Sequence, residues 1–148
     1  MTFLRPARGR SIFALSVLAA GLALLTSSGF AAGTFPYGQD LLLDAAPMRP
    51  AKRVPILNVT PDGVATIDLW CKSVSGRVAF SDEAITIAPG PLPEALPQMR
   101  VDGQCTPARL QADYDVLAAL AQVTGWHRRG DTVLLSGPRT LRFRVSNH

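Results

Sequence analysis

Short runs in which apolar and polar residues alternate dominate residues 54–145, and this pattern is typical of antiparallel β-strands. The runs are separated by turn signals, of which Thr60-Pro61-Asp62-Gly63 is the clearest. From residue 65 to residue 71 every second residue is apolar, which predicts a strand with Cys71 on its inward face. A hairpin is predicted around Ser81-Asp82-Glu83, with four core positions: Val78, Phe80, Ile85 and Ile87.

Residues 106–125 follow a helical pattern instead. Thr106 and Pro107 are typical of a helix start, because threonine caps the first turn and proline fits within it. Gly125 predicts the end of this helix. Six residues recur at helical spacing and form the predicted apolar stripe: Leu110, Tyr114, Leu117, Leu120, Ala121 and Val123.

The last predicted unit is a hairpin in which residues 126–135 form one strand and residues 140–145 form the other. Together these elements indicate an α+β fold, a curved antiparallel β-sheet (partial barrel) with one principal α-helix packed against it. Residues 32–53 are interpreted as an N-terminal segment with one short strand, and residues 89–104 as a proline-rich loop. The domain itself is predicted to span residues 54–148.

The first 31 residues have the pattern of a secretory signal peptide. Three arginines precede an apolar run that is shorter than the roughly 20 residues of a membrane span, and Gly29-Phe30-Ala31 offers small residues for cleavage near Ala31. We therefore expect a bacterial protein that is periplasmic or secreted and keeps no stable membrane span. Without these three arginines the net charge falls from +4 to +1, so the basic composition does not indicate nucleic-acid binding.

Cys71 and Cys105 are the only two cysteines of the chain. Because exported proteins fold in an oxidising compartment, we expect a structural disulfide between them. Loop-closure entropy gives such a bond roughly 3–4 kcal/mol of stabilisation. A redox-active thiol pair is the alternative, but the Cys-x-x-Cys spacing of such pairs is absent.

Four segments carry a resemblance to a known family. They are residues 70–76 around Cys71, the helical residues 113–120, the Gly130-Asp131 turn with residues 132–135 after it, and Leu141-Arg142-Phe143. In this order they resemble the META domain of the bacterial HslJ-like proteins, over residues 54–143. The resemblance implies a non-enzymatic envelope protein that is linked to stress. Lys72, Ser73 and Val74 depart from the usual Asn-Arg-Phe of the family, so a function carried by those residues would be lost here.

No arrangement of residues indicates an enzyme. His127 and His148 are the only histidines, and the sequence has neither a nucleophile elbow nor a metal-ligand spacing. We therefore predict no catalytic residue, no metal and no cofactor.

The remaining candidate site is a basic patch on the last hairpin. Alternation along the terminal strand puts Arg142 and Arg144 on one face, and Arg128 or Arg129 is expected beside them. Such a patch suits an anionic headgroup or an acidic partner. A solvated outer face of the sheet is the simpler explanation.

The sequence thus predicts a monomeric, exported binding or accessory module whose partner is an envelope protein or a lipid. The alternative is a periplasmic carrier that holds a lipid or another small hydrophobic ligand in a cavity beneath the helix. An enzyme is a third hypothesis, and it requires a site within the proline-rich loop at residues 89–104.

Overall fold

The computed structural model of the protein describes residues 33–49, 53–94, 103 and 105–147. These residues belong to one compact unit, Ala31–His148. The predicted signal peptide, residues 1–31, lies outside the described residues, as do residues 95–102 of the proline-rich loop.

Eight antiparallel strands follow one another around a closed barrel in the order of the chain. One helix, α1 (Pro107–Ala121), connects the fifth strand to the sixth. The strands are β1 (Leu41–Leu43), β2 (Ile56–Val59), β3 (Val64–Asp68), β4 (Ser73–Ser81), β5 (Ala84–Pro89), β6 (Gly125–Arg129), β7 (Thr132–Ser136) and β8 (Leu141–Val145).

Among the described residues, the prediction of an antiparallel sheet with one principal helix is confirmed, but the sheet is a closed barrel and not a partial one. Strand β1 closes it, because Leu41 pairs with Leu57 of β2 on one side and with Val145 of β8 on the other. The short strand expected in the N-terminal segment is therefore a full member of the barrel.

The barrel encloses one cluster of buried apolar side chains. Alternation along the strands supplies it, since every second residue points inward. The largest fully buried side chains include Leu41, Ile67, Ile87, Leu135 and Phe143. Gly63, in the turn between β2 and β3, has a φ of +79°, and a Cβ there would lie 2.5 Å from the carbonyl oxygen of Val78. The turn signal at this position thus reflects a real steric requirement.

Two strand predictions were wrong at their ends. Strand β3 ends at Asp68, and both Leu69 and Trp70 are buried, so the alternation that was expected to continue to Cys71 stops before it. Residues 126–135 form two strands, because Gly130 turns the chain with a φ of +61° between β6 and β7.

Helix α1 begins as predicted, since the Thr106 side chain accepts a hydrogen bond from the Arg109 backbone N–H and Pro107 occupies the first turn. It ends at Ala121 and not at Gly125. The N–H of Thr124 already donates to the carbonyl oxygen of Ser136, so pairing with the sheet takes over before Gly125 is reached. Within the described residues, no helix has the length and apolar character needed to cross a membrane.

The apolar stripe predicted for α1 is partly wrong. Leu117, Leu120 and Val123 are buried in the core, whereas Tyr114 is 54% exposed and Ala121 is exposed. The buried face of the helix instead contains two charged residues, Arg109 and Asp113. Their partners lie in the loop between β3 and β4.

Candidate functional site

The predicted basic patch lies on the outer face of β6, β7 and β8. Strand β7 runs between the two strands that were expected to be neighbours, and its residues link them in two rows. One row joins His127 through Leu134 to Arg142, and the other joins Arg129 through Thr132 to Arg144. The rows bring three exposed arginines to one surface, which we call the arginine face: Arg129, Arg142 and Arg144.

Arg128 points to the opposite side of β6, as alternation along a strand requires. Its guanidinium donates one hydrogen bond to the carbonyl oxygen of Gly130 at 2.8 Å and another to that of Thr34 at 2.9 Å. Of the four arginines proposed from the sequence, the structure brings three together and uses the fourth to hold the N-terminal segment.

A shallow depression of about 420 Å³ crosses the arginine face. Its lining residues are His127, Arg129, Thr132, Leu134 and Arg142. Nearby, the Nε of Arg142 lies 3.5 Å from a carboxylate oxygen of Asp44. Both side chains of this ion pair are about half exposed, at 59% and 45%, so solvent screens the attraction and leaves it worth little. The guanidinium of Arg142 can therefore exchange this carboxylate for that of a partner.

The two cysteines lie at the junction of α1 with the loop between β3 and β4. The Sγ of Cys105 is 3.9 Å from the carbonyl oxygen of Cys71, and the two thiols hydrogen-bond to each other. Both residues are thiols in the structure. The proximity is compatible with the expected disulfide, which stays a prediction.

Side chains of α1 supply the hydrogen bonds that this loop would otherwise lack. The carboxylate of Asp113, which is 0% exposed, accepts from the backbone N–H groups of Trp70 at 2.9 Å and Cys71 at 3.1 Å. Arg109, 2% exposed, donates from Nη2 to the carbonyl oxygen of Trp70 at 2.9 Å. We call this arrangement the helix clamp: Arg109 and Asp113 of α1, with Trp70 and Cys71 of the loop.

The electrostatics of the clamp disfavour nucleophilic chemistry. Burial, the hydrogen bond with Cys105 and the nearby Asp113 carboxylate raise the pKa of the Cys71 thiol to about 12. Burial likewise raises the pKa of Asp113, although the hydrogen bonds from Cys71 and Trp70 and the charges of Lys72 and Arg109 oppose this. The thiolate is the reactive form of cysteine, so a thiol with this pKa is poorly suited to nucleophilic attack.

A groove on another part of the surface is lined mainly by aromatic rings. Phe35, Tyr37, Phe80 and Trp126 line a volume of about 490 Å³, with Asp82 and Glu83 beside them. In the described part of the chain, no group of histidine, cysteine or acidic residues is arranged to hold a metal ion.

The chain matches no protein-family model and no curated protein. The resemblance to the META domain therefore remains a prediction that rests on the four sequence segments.

Neither the helix clamp nor the aromatic groove was predicted from the sequence. A signal for the clamp was present, since Arg109 and Asp113 are four residues apart and Val116 and Leu117 continue the same face of the helix. The groove left no such signal, because Phe35 and Trp126 are distant in sequence and meet only when the barrel closes.

Proposed function

We propose that this protein is an exported, non-enzymatic binding module of the bacterial cell envelope, and that it captures an anionic envelope component on the arginine face. The observation that carries the proposal is the alignment of Arg129, Arg142 and Arg144 on one exposed surface of three neighbouring strands. Like charges gathered on one face attract an anionic partner, because the positive potentials of the three arginines add there.

The chemistry of the side chains supports an anionic partner in particular. A guanidinium group binds carboxylates and phosphates through two parallel hydrogen bonds, which gives direction as well as attraction. The depression between the two rows offers room for such a group, with Arg129 on one side and Arg142 on the other. An accessory role in the envelope, linked to stress, follows from the resemblance to the HslJ-like proteins and is proposed on that basis.

The carrier hypothesis has less in its favour. It requires a cavity beneath α1, and the side chains of Leu117, Leu120 and Val123 at that place are buried in the core cluster. Ala121, at the end of α1, is exposed and does not face the core.

Charge reversal tests the proposed function. Arg144→Glu changes the arginine face, and Arg139→Glu makes the same change at an exposed site in the turn before β8. Binding to vesicles that contain phosphatidylglycerol, and separately to poly-glutamate, is measured by sedimentation at several salt concentrations. We expect Arg144→Glu to weaken binding to one of these probes by about 30-fold, because the reversal changes the charge by two at roughly 1 kcal/mol per charge near an anionic surface. Arg139→Glu should have a much smaller effect.

Each outcome has a definite meaning. Loss of vesicle binding would indicate an anionic lipid as the partner, and loss of poly-glutamate binding an acidic protein. Equal effects of Arg144→Glu and Arg139→Glu would show that only net charge matters, which would refute the arginine face as a site. The thermal unfolding temperature serves as the control for folding, and neither exposed substitution should change it appreciably.

A further inference from the structure

The aromatic groove lies where the N-terminal segment meets the turn between β4 and β5 and the start of β6. Phe35 forms its floor, because this ring is 5% exposed and lies 4.7 Å from the ring of Phe80 and 5.3 Å from that of Trp126. The more exposed rings of Tyr37, Phe80 and Trp126 form its walls. Tyr37 is 38% exposed, which is unusual for a large ring that contacts a core residue.

The wall rings stand almost at right angles to one another. The planes of Phe80 and Trp126 meet at 87° with centroids 6.2 Å apart, and those of Tyr37 and Phe80 meet at 75° with centroids 5.4 Å apart. The rings of Tyr37, Phe80 and Trp126 therefore border the groove at different orientations. The face of an aromatic ring carries partial negative charge, so a ligand in this space can meet ring faces that attract cations.

The polar group of Trp126 is already engaged. Its indole Nε1–H donates to the carbonyl oxygen of Asp82 at 3.2 Å, and its backbone N–H donates to that of Glu83 at 2.9 Å. The indole therefore offers the groove its π surface and not a hydrogen-bond donor. These two bonds also fix the turn between β4 and β5, and with it both acidic residues, at the rim of the groove.

The charged side chains that line the groove are both acidic. Asp82 and Glu83 are its only ionisable lining residues apart from Tyr37, and both are exposed. Arg128 lies beside two other lining residues, Gly33 and Thr34, but does not itself line the groove. Its guanidinium is held by the carbonyl oxygens of Thr34 and Gly130. Asp82 also has a φ of +50°, a backbone conformation that glycine or asparagine would adopt more easily.

We infer that the aromatic groove is a binding site for a small organic cation, namely an ammonium group with apolar substituents. Such a cation combines the two properties that the groove matches: apolar surface that packs against the rings, and positive charge attracted both by the ring faces and by the two carboxylates. The volume of about 490 Å³ is within the usual range for a small-molecule site. This inference is independent of the arginine face, which attracts the opposite charge.

Two probes of the same shape separate the contribution of charge to binding from that of apolar contact. Choline carries a trimethylammonium group, and 3,3-dimethylbutan-1-ol carries a neutral tert-butyl group in its place. Each is titrated into ¹⁵N-labelled protein, and the shifts of the Trp126 indole N–H and of the Asp82 amide are followed by NMR. We expect choline to shift both signals and to bind roughly 2- to 30-fold more tightly than the neutral alcohol, the range that cation–π contacts support.

Three variants test whether choline binds in the groove. Asp82→Asn removes the charge and keeps a residue that tolerates a positive φ, while Asp115→Asn makes the same change on the exposed face of α1. Choline affinity should fall at least about twofold in Asp82→Asn and stay unchanged in Asp115→Asn. Tyr37→Leu, which removes the most exposed ring, should also weaken choline and spare the neutral alcohol.

Three results would overturn the inference. They are equal binding of choline and the alcohol, an unchanged affinity in both Asp82→Asn and Tyr37→Leu, and choline shifts that avoid Trp126. Binding to phosphatidylcholine vesicles without a response to free choline would replace the small solute by a lipid headgroup, and so would also contradict the proposal as stated.

Discussion

The helix clamp gives the sharpest prediction of stability. Asp113→Ala removes the carboxylate that accepts the backbone N–H groups of Trp70 and Cys71, at 2.9 Å and 3.1 Å. The hydrogen bond from Trp70 is buried and that from Cys71 is part-buried, and alanine provides no acceptor for either. Arg109 would keep its bond to the carbonyl oxygen of Trp70 but would lose the nearby opposite charge.

The expected cost follows from these contacts. A buried donor that loses its acceptor costs about 1–3 kcal/mol. The Cys71 donor is part-buried and costs less, so the two donors together give roughly 2–5 kcal/mol. Two gains oppose this loss: a buried carboxylate is no longer desolvated, and alanine favours the helix over aspartate by about 0.5–0.7 kcal/mol. We therefore expect Asp113→Ala to lower the free energy of unfolding by about 2–4 kcal/mol, a large share of the total for a small domain.

Asp115→Ala is the matched control. Asp115 lies two residues further along α1, is exposed, and accepts only a hydrogen bond from the Gln111 side chain. The gain in helix propensity is the same at both positions, so the difference between the two variants isolates the clamp. Urea denaturation followed by Trp fluorescence measures both free energies. If Asp113→Ala were within about 0.5 kcal/mol of Asp115→Ala, which is the range of ordinary surface substitutions, the clamp would not hold the loop as described.

Two further predictions concern the cysteines. A Cys71–Cys105 disulfide should raise the free energy of unfolding by roughly 3–4 kcal/mol. Urea denaturation with and without a reductant measures this difference. Two alkylatable thiols in protein taken from an oxidising compartment would argue against the bond. In the reduced protein a pKa of about 12 for Cys71 leaves only about one thiol in 10,000 ionised at pH 8. Iodoacetamide should then label Cys71 slowly at pH 8, and faster as the pH rises toward 12, whereas rapid labelling of the folded protein at pH 8 would contradict the raised pKa.

The strands and the helix start could be predicted from the sequence because their signals are local. The alternation around Ile85 and Ile87 can be recognised within a few residues. The same is true of Thr106 followed by Pro107, which marks a helix start. The closure of the barrel could not, since it depends on the pairing of β1 with β8. Three strand residues at Leu41–Leu43 carry too little pattern to show on which two partners they pair.

The buried face of α1 was mispredicted for a different reason. Tyr114 is apolar enough to belong to a stripe, and Asp113 is charged, so hydrophobicity alone places the first inside and the second outside. The structure reverses them because the loop after β3 presents backbone N–H groups that need an acceptor. A need for hydrogen bonds in one segment cannot be read from the pattern of another.

For the arginines, alternation predicted which residues share a face but not that β7 lies between their strands.

The pairing of Leu41 with Val145 has a consequence for how the chain folds. These residues come from nearly opposite ends of the described sequence, so the contact that closes the barrel has one of the largest sequence separations in the molecule, and such contacts form slowly. Until β8 has been synthesised, β1 and β7 each present an unpaired edge, which invites association with other chains. Without β8 the barrel cannot close, so the chain stays open for longer than a protein whose contacts are local.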